Sequence, residues 1–370
     1  MKNPNPSLIR FALVLFCISV TVLGLVLAKD VLIPLVISVF LAYLIYPMVA
    51  RVENWGVHRG VSIVLVILVS LLFLSSIVLL ISIHISTIEL NLSQAQAQVN
   101  AKTDSLILIL ESKLGMNSHS LDAYVERISN GVFASWESQI GSLFSATTTT
   151  VFQLFILPVY TFFLLFYRTK TAHFILRFVE RKDRFIVVNI MREVSLITTR
   201  YMGGLLIVVV ILAILNTVGL AIIGVPHAML FGIAAAILNL IPYIGTFVGG
   251  IIPILFVFFS QSDPFHMMVQ ILVLFTIVQF LENNLITPGI VGNNIKINPF
   301  AIVFSLLMAN LIWGVAGMFI VLPFLAIAKV IMRNVDSLKP FAYLISDKGV
   351  ERHKVGIKRL RKWVKRKAGQ

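Results

Sequence analysis

Charge is what this sequence has least of. Only 12% of its 370 residues are Asp, Glu, Lys or Arg, against about 25% in an ordinary soluble domain. So few charges cannot cover a water-facing surface, and a soluble globular fold is excluded. Cysteine is scarcer still: Cys17 stands alone, which excludes an intrachain disulfide and a Cys/His metal cluster. Enzyme signatures are missing as well. There is no HExxH pair for zinc, no GxSxG elbow for a nucleophilic serine and no GxxxxGK[ST] loop for phosphate. The seven histidines are scattered, and most fall at the edges of apolar runs or between them. The chain reads as a non-enzyme that needs no cofactor and no metal.

What is abundant is apolar surface. Hydrophobic residues make up 58% of the chain and mean hydropathy is +0.97. A membrane-spanning helix needs roughly 17–25 apolar residues. Runs of that kind are Ile9–Ala28, Val31–Met48, Val61–Ile85, Thr149–Tyr167 and Met202–Gly224. The second run follows the first at once, so residues 1–28 are expected to be a retained span rather than a cleaved signal. The C-terminal third is less regular: Ala228–Ile241, Thr246–Phe259, His266–Phe280, then a long run from Pro299 to Ile331.

Lysine and arginine near span ends set orientation. Residues 86–145 hold three basic residues against six acidic ones, whereas residues 168–200 hold eight basic against three acidic. The basic segment is expected in the cytoplasm, the acidic one outside, and the N-terminus inside. The tail Lys348–Lys367 carries ten basic residues against Glu351 and is expected inside too. An odd number of crossings must then follow the fifth span. His266–Phe280 supplies one. Ala228–Phe259, interrupted at Asn239, Pro242 and Gly245, and Pro299–Ile331, interrupted at Trp313-Gly314-Val315-Ala316-Gly317, are expected to be hairpins of short helices. Two full hairpin pairs satisfy the same parity. The fold expected is all-α and polytopic, with about six spans, two broken or re-entrant hairpins and amphipathic extracytoplasmic helices.

Two segments outside the spans carry helical stripes. Leu121, Tyr124, Val125, Ile128, Val132, Trp136, Ile140 and Leu143 form one; Phe174, Phe178, Phe185, Val188, Met191 and Val194 form the other. Each can lie on the membrane surface or on neighbouring helices, and the outer one can also pack against copies of itself. In the tail, Ile357, Leu360, Trp363 and Val364 edge a helix dense in Lys and Arg, the pattern of a helix lying among anionic headgroups. That accounts for the net charge of +14 without nucleic acid.

The informative polar residues lie in the last third. Glu282, in Gln279-Phe280-Leu281-Glu282-Asn283-Asn284, ends an apolar run. A charged, unpaired carboxylate at depth costs roughly 2.5–3.5 kcal/mol on insertion scales. Glu282 must therefore face a cavity, pair with a donor or be protonated, unless it sits at the membrane surface. Pro242 and Pro288 each remove a backbone donor, and in lipid the freed carbonyls need protein or cavity water. Asn239–Gly245 is thus expected to be a helix break lining something wet, or else a tight surface turn. Gly245, Gly249 and Gly250 have the small-residue spacing that permits close helix approach. Asn216, Asn239, Gln270 and Asn310 add hydrogen-bonding groups that more often join helices than touch a ligand.

These motifs taken together resemble one family. Asn239-Leu-Ile-Pro242-Tyr-Ile-Gly245, Gln279-Phe-Leu-Glu282-Asn283-Asn284-Leu-Ile-Thr-Pro288-Gly-Ile-Val-Gly292, Asn298-Pro299, Trp313-Gly314-Val-Ala-Gly317 and Leu322-Pro323 are similar to the autoinducer-2 exporter family. The resemblance implies a permease of a bacterial inner membrane, exporting a small polar signal in some members and exchanging cations for protons in others. It implies a ring-like homo-oligomer, a pentamer, and pathway residues at Pro242, Gly245, Gln279, Glu282, Asn283, Pro288 and Gly292. Asn239, Asn310 and Gly314 are added from their own chemistry. Ala309-Asn310 departs from the paired glycines usual before Trp-Gly, which bears on solute size. On this reading the chain divides into three spans at 1–85, an extracytoplasmic segment at 86–148 and a fourth span at 149–167. A basic cytoplasmic segment follows at 168–201, then a transport core at 202–333 and a basic tail at 334–370. The rival functions are a cation/proton antiporter and a scaffold without transport.

Overall fold

A computed structural model describes residues 6–89, 148–241, 244–261, 263–290 and 297–347. The outer amphipathic stripe, the basic tail, Pro242 and Gly292 lie outside these described residues. The described residues are helical, apart from one isolated bridge between Ile297 and Ser346. In chain order the helices are α1 (Pro6–Leu27), α2 (Lys29–Asn54), α3 (Arg59–Glu89), α4 (Thr148–Phe166), α5 (Arg168–Arg177) and α6 (Arg184–Ile223). Then come α7 (Ala228–Leu238), α8 (Ile244–Ser260), α9 (Phe265–Leu281), a π turn at Glu282–Ile286 and α10 (Thr287–Ile290). The last are α11 (Pro299–Asn334), a 3-10 turn at Asp336–Leu338 and α12 (Lys339–Leu344).

By length and composition alone five described helical stretches could cross a membrane, Lys29–Asn54, Arg59–Leu79, Arg184–Ile223, Phe265–Ile290 and Pro299–Asn334, the last of them folded back at Gly314. Shorter apolar stretches are Ala12–Leu27, Phe155–Phe166, Ala228–Leu238 and Gly245–Phe258. Large side chains such as Phe16, Leu72, Phe155, Ile222 and Leu311 stand exposed on these helices, as lipid-facing positions must. The chain is an all-α, multi-pass membrane protein.

The chain forms two compact units: residues 34–169 with 202–291, and residues 1–33 with 170–201 and 292–370. In the first, α2 presents Ser38, Ala42, Ile45, Val49 and Val52 at alternating steps of four and three, a stripe that meets Ile63 and Val66 of α3 and Leu165 of α4. The α2–α3 turn is tied to the end of α4 by charge. Arg168 grips Glu53 with both guanidinium nitrogens, at 3.1 and 2.5 Å, and lies 5.1 Å from the Tyr46 ring centroid. Arg59 donates to the Leu165 carbonyl at 2.7 Å, consuming a carbonyl that the end of α4 leaves open.

In the same unit α7 and α8 run antiparallel as a tight pair. A Cβ on Gly249 would lie 2.9 Å from the Ala235 Cα, and one on Gly245 would lie 1.6 Å from the Leu238 carbonyl oxygen. The pairs 245–238 and 249–235 share one antiparallel register, so this is the hairpin expected from the sequence.

The second hairpin belongs to the other unit. A straight 36-residue helix would part its ends by about 54 Å. Here Asn298, whose side chain caps α11 through the Phe300 N–H at 2.9 Å, donates its own N–H to the Ile345 carbonyl at 2.8 Å. The reversal comes at Gly314, with φ 62° and ψ −145°, a conformation essentially reserved for glycine. Beyond it Gly317 approaches the Ala309 carbonyl so closely that a Cβ would lie 2.2 Å from the oxygen. In a continuous helix those residues would be about 12 Å apart. At the bend the Trp313 indole N–H donates to the Leu25 carbonyl of α1 at 3.0 Å. Lower in the hairpin Arg333 pairs with Glu193 of α6.

The basic amphipathic stretch is divided between α5 and the start of α6, and from Arg184 it continues into the fifth span as one helix of 40 residues. Phe174, Phe178 and Phe185 of the stripe are all exposed, which fits a helix face laid on a membrane surface.

Three outcomes follow for stability. Arg168→Lys should lower the melting midpoint in detergent nearly as far as Arg168→Ala, a loss of about 1–3 kcal/mol, because an ammonium cannot make both bonds or stack on Tyr46. Gly314→Ala should cost about 1–3 kcal/mol in the same assay. Gly203→Ala, inside α6 with open space at its Cβ position, should instead be neutral or stabilising by up to about 1 kcal/mol.

Candidate functional site

Helix α9 does not stop at its polar end. It widens: Glu282–Ile286 form a π turn in which the Thr287 N–H reaches back five residues to the Glu282 carbonyl, and the helix then resumes through Ile290. The cause is Pro288, which lacks an N–H and crowds the carbonyl four residues before it. One extra residue in the turn absorbs that obstruction, where the sequence alone gave grounds to end the helix. Asn284 contributes by donating its side-chain amide to the Phe280 carbonyl at 2.8 Å. Such π turns recur at functional positions.

The turn sets a polar cluster on an apolar helix. The Gln279 side-chain amide donates to Glu282 Oε2 at 2.8 Å and to Asn283 Oδ1 at 3.2 Å. Thr287 Oγ1 donates to Glu282 Oε1 at 3.3 Å. Glu282 is half-buried and takes part in no ion pair among the described residues. Of the ways a carboxylate can be tolerated here, the structure uses neutral hydrogen-bond donors.

The break between α7 and α8 lies beside this cluster. Thr246 Oγ1 donates to Asn239 Oδ1 at 2.6 Å, tying the two sides of the break together. Gly245 is required at this point by space, since any side chain would strike the Leu238 carbonyl. Asn239 and Thr246 line a small recess with Leu212, Asn216, Ala235, Phe275, Val278 and Gln279, and it has room for about one water molecule. Helices α6, α7, α8 and α9 all reach it. Close approach of α6 and α7 places Asn216 there: Gly232 of α7 lies against Thr217, and a Cβ on it would come 2.3 Å from Thr217 Oγ1.

Gln279 joins the recess to the carboxylate, for it lines the one and bonds the other. Of the residues expected from the sequence, Asn239, Gly245, Gln279, Glu282, Asn283 and Pro288 fall together in this unit. Asn310 and Gly314 belong to the other unit, on the α11 hairpin, where Asn310 is exposed. Two residues were not singled out, and a third was named without a place at the site. Thr246 and Thr287 sit within apolar or motif stretches where a threonine carries no signal of its own. Asn216 was visible as an intramembrane amide, yet its spacing gave no reason to place it beside Asn239.

The sequence pattern of the AI-2E family of transporters matches residues 15–337. YrrI of Bacillus subtilis is 32% identical over 142 residues, 38% of this chain and 39% of that protein. YueF of the same organism is 31% identical over 151 residues, 41% of this chain and 40% of its own. The chain thus spans about two fifths of the length of these relatives. A longer and weaker match is the AI-2 transport protein TqsA of Escherichia coli, 19% identical over 352 residues, 92% of this chain and 96% of TqsA. Since the family pattern runs from within the first span through both hairpins described above, this chain belongs to the AI-2E family of transporters.

Proposed function

We propose that this protein is a secondary transporter of a small polar solute, of the autoinducer-2 type, across a bacterial inner membrane. One observation carries the reading. A carboxylate with no basic partner among the described residues sits on a widened turn of an apolar helix, linked through Gln279 to a recess at a helix break. Broken helices offer backbone dipoles to polar solutes, and an intramembrane carboxylate is the group that answers to protons or cations. The name of TqsA supports the solute class. In this reading Glu282 responds to the driving ion while Asn239 and Asn283 meet polar atoms of the solute. The α7–α8 and α11 hairpins enter and leave on one side and move between two states. The arginine and lysine bias places both termini in the cytoplasm, with the basic tail on anionic lipid. Function belongs to a homo-oligomer, a pentamer.

The same carboxylate, unpaired with any basic group among the described residues, also favours monovalent-cation/proton exchange as a second reading. Purified protein in proteoliposomes separates the two. Under an imposed pH gradient with autoinducer-2 as solute, Glu282→Gln should abolish pH-dependent flux and leave the oligomer unchanged on a sizing column. Unchanged flux would remove Glu282 from the mechanism. Sodium- or lithium-driven dequenching of a pH dye, lost in Glu282→Gln, would favour the exchanger. A scaffold would behave otherwise: deleting residues 348–370 would end its function while Glu282→Gln stayed silent.

A further inference from the structure

Among the described residues five buried side-chain atoms lack a hydrogen-bond partner, on Arg59, Thr161, Thr198, Asn216 and Ser260, and of these only Asn216 lines the recess. Asn216 is 4% exposed, and its side-chain oxygen has no hydrogen-bond partner among the described residues although it lines the recess. A buried amide oxygen left unpaired costs about 1–3 kcal/mol, and such groups are rare in native structures unless water or an ion meets them. In a bilayer the cost has no relief from outside. The recess is the right size for relief, since it holds about one water. It is also the right chemistry. Asn239 and Thr246 bring oxygens to it, and Gln279 turns its amide nitrogen toward Glu282 and Asn283, leaving its own oxygen uncommitted. All these acceptors are neutral, and a water with two donors suits them.

The geometry points to a structural hydration site: a single water in this recess, donating one hydrogen to Asn216 Oδ1 and sharing the other between the Asn239–Thr246 oxygens and the Gln279 oxygen. Asn216 thereby becomes a pathway-lining residue, the far end of a polar seam that runs from α6 through the water and Gln279 to Glu282 and Thr287. The seam rests on the transport reading for its purpose, but its existence does not depend on it.

Hydroxyl radicals made from ordered water by an X-ray pulse label the side chains beside that water, and they read occupancy without transport. Phe275 lines the recess, whereas Phe231 is buried in a dry cluster with Leu220, Val257 and Ile271. In the full chain in nanodiscs, Phe275 should label at least about tenfold faster than Phe231. Asn216→Leu, close in volume but without the acceptor, should bring Phe275 down to the rate of Phe231. Thr246→Val, which removes one hydroxyl and keeps the shape, should lower it in the same direction and serves if the leucine variant does not fold. Equal labelling of Phe275 and Phe231 in the unaltered chain would overturn the proposal, as would undiminished labelling in folded Asn216→Leu. Loss of labelling with a raised melting point in sodium, compared with choline, would put a cation in the recess and overturn it too. Labelling that holds while Glu282→Gln transports normally would leave the water and remove the transport reading; the reverse would do the opposite.

Discussion

In hydrocarbon no backbone amide or carbonyl can be left for water to satisfy, and this constraint orders the whole molecule. Uninterrupted helices meet it cheaply. Every interruption is therefore an expense that some neighbour must offset. Three are seen here, each met by its own means. At Asn239–Gly245 backbone bonds close the turn, the Ile241 N–H to the Leu238 carbonyl at 3.0 Å and the Gly245 N–H to the Ile241 carbonyl at 2.9 Å. Ahead of Pro288 an extra residue widens the turn and an asparagine amide takes up a carbonyl. At Gly314 the chain reverses, and the flanking Trp313 is anchored on another helix. In the compact unit that holds Asn239 and Glu282, the interruptions and the polar side chains coincide.

The positions of the spans were legible because length and apolarity decide them, and every expected run among the described residues falls on a helix, although the fifth begins 18 residues early, at Arg184. The hairpin in residues 299–334 was legible too, since a 36-residue apolar run with two glycines near its middle is too long to remain straight. What was not legible depends on contact between distant residues. The bond from Asn298 to Ile345, which closes that hairpin, has no local signature. The π turn was hidden because the same letters before a proline can end a helix or widen it. Asn216 shows the limit plainly. Its neighbour Thr217 lies under Gly232, and only that close packing brings the amide to Asn239.

The glycines deserve a different account from the one their spacing invites. Gly245 lies where a hinge would be sought, yet its surroundings describe a packing contact with no room for even a methyl group. Gly249 makes the same kind of contact with Ala235. The α7–α8 pair is therefore held in register along its length, and any movement is easier for the pair as a body than for one helix against the other. Gly314 is the opposite case. It has open space around it, and what it supplies is a backbone conformation rather than a fit.

The hydrogen bond from Trp313 to Leu25 gives the first helix an unexpected standing. An N-terminal apolar helix with exposed leucines and valines is easily taken for a membrane address and little more. Here a carbonyl near its end holds the tip of the α11 hairpin. The first helix is a buttress. Whoever shortens the N-terminus, or loads it with a bulky fusion to aid purification, works on the footing of the bend at Gly314.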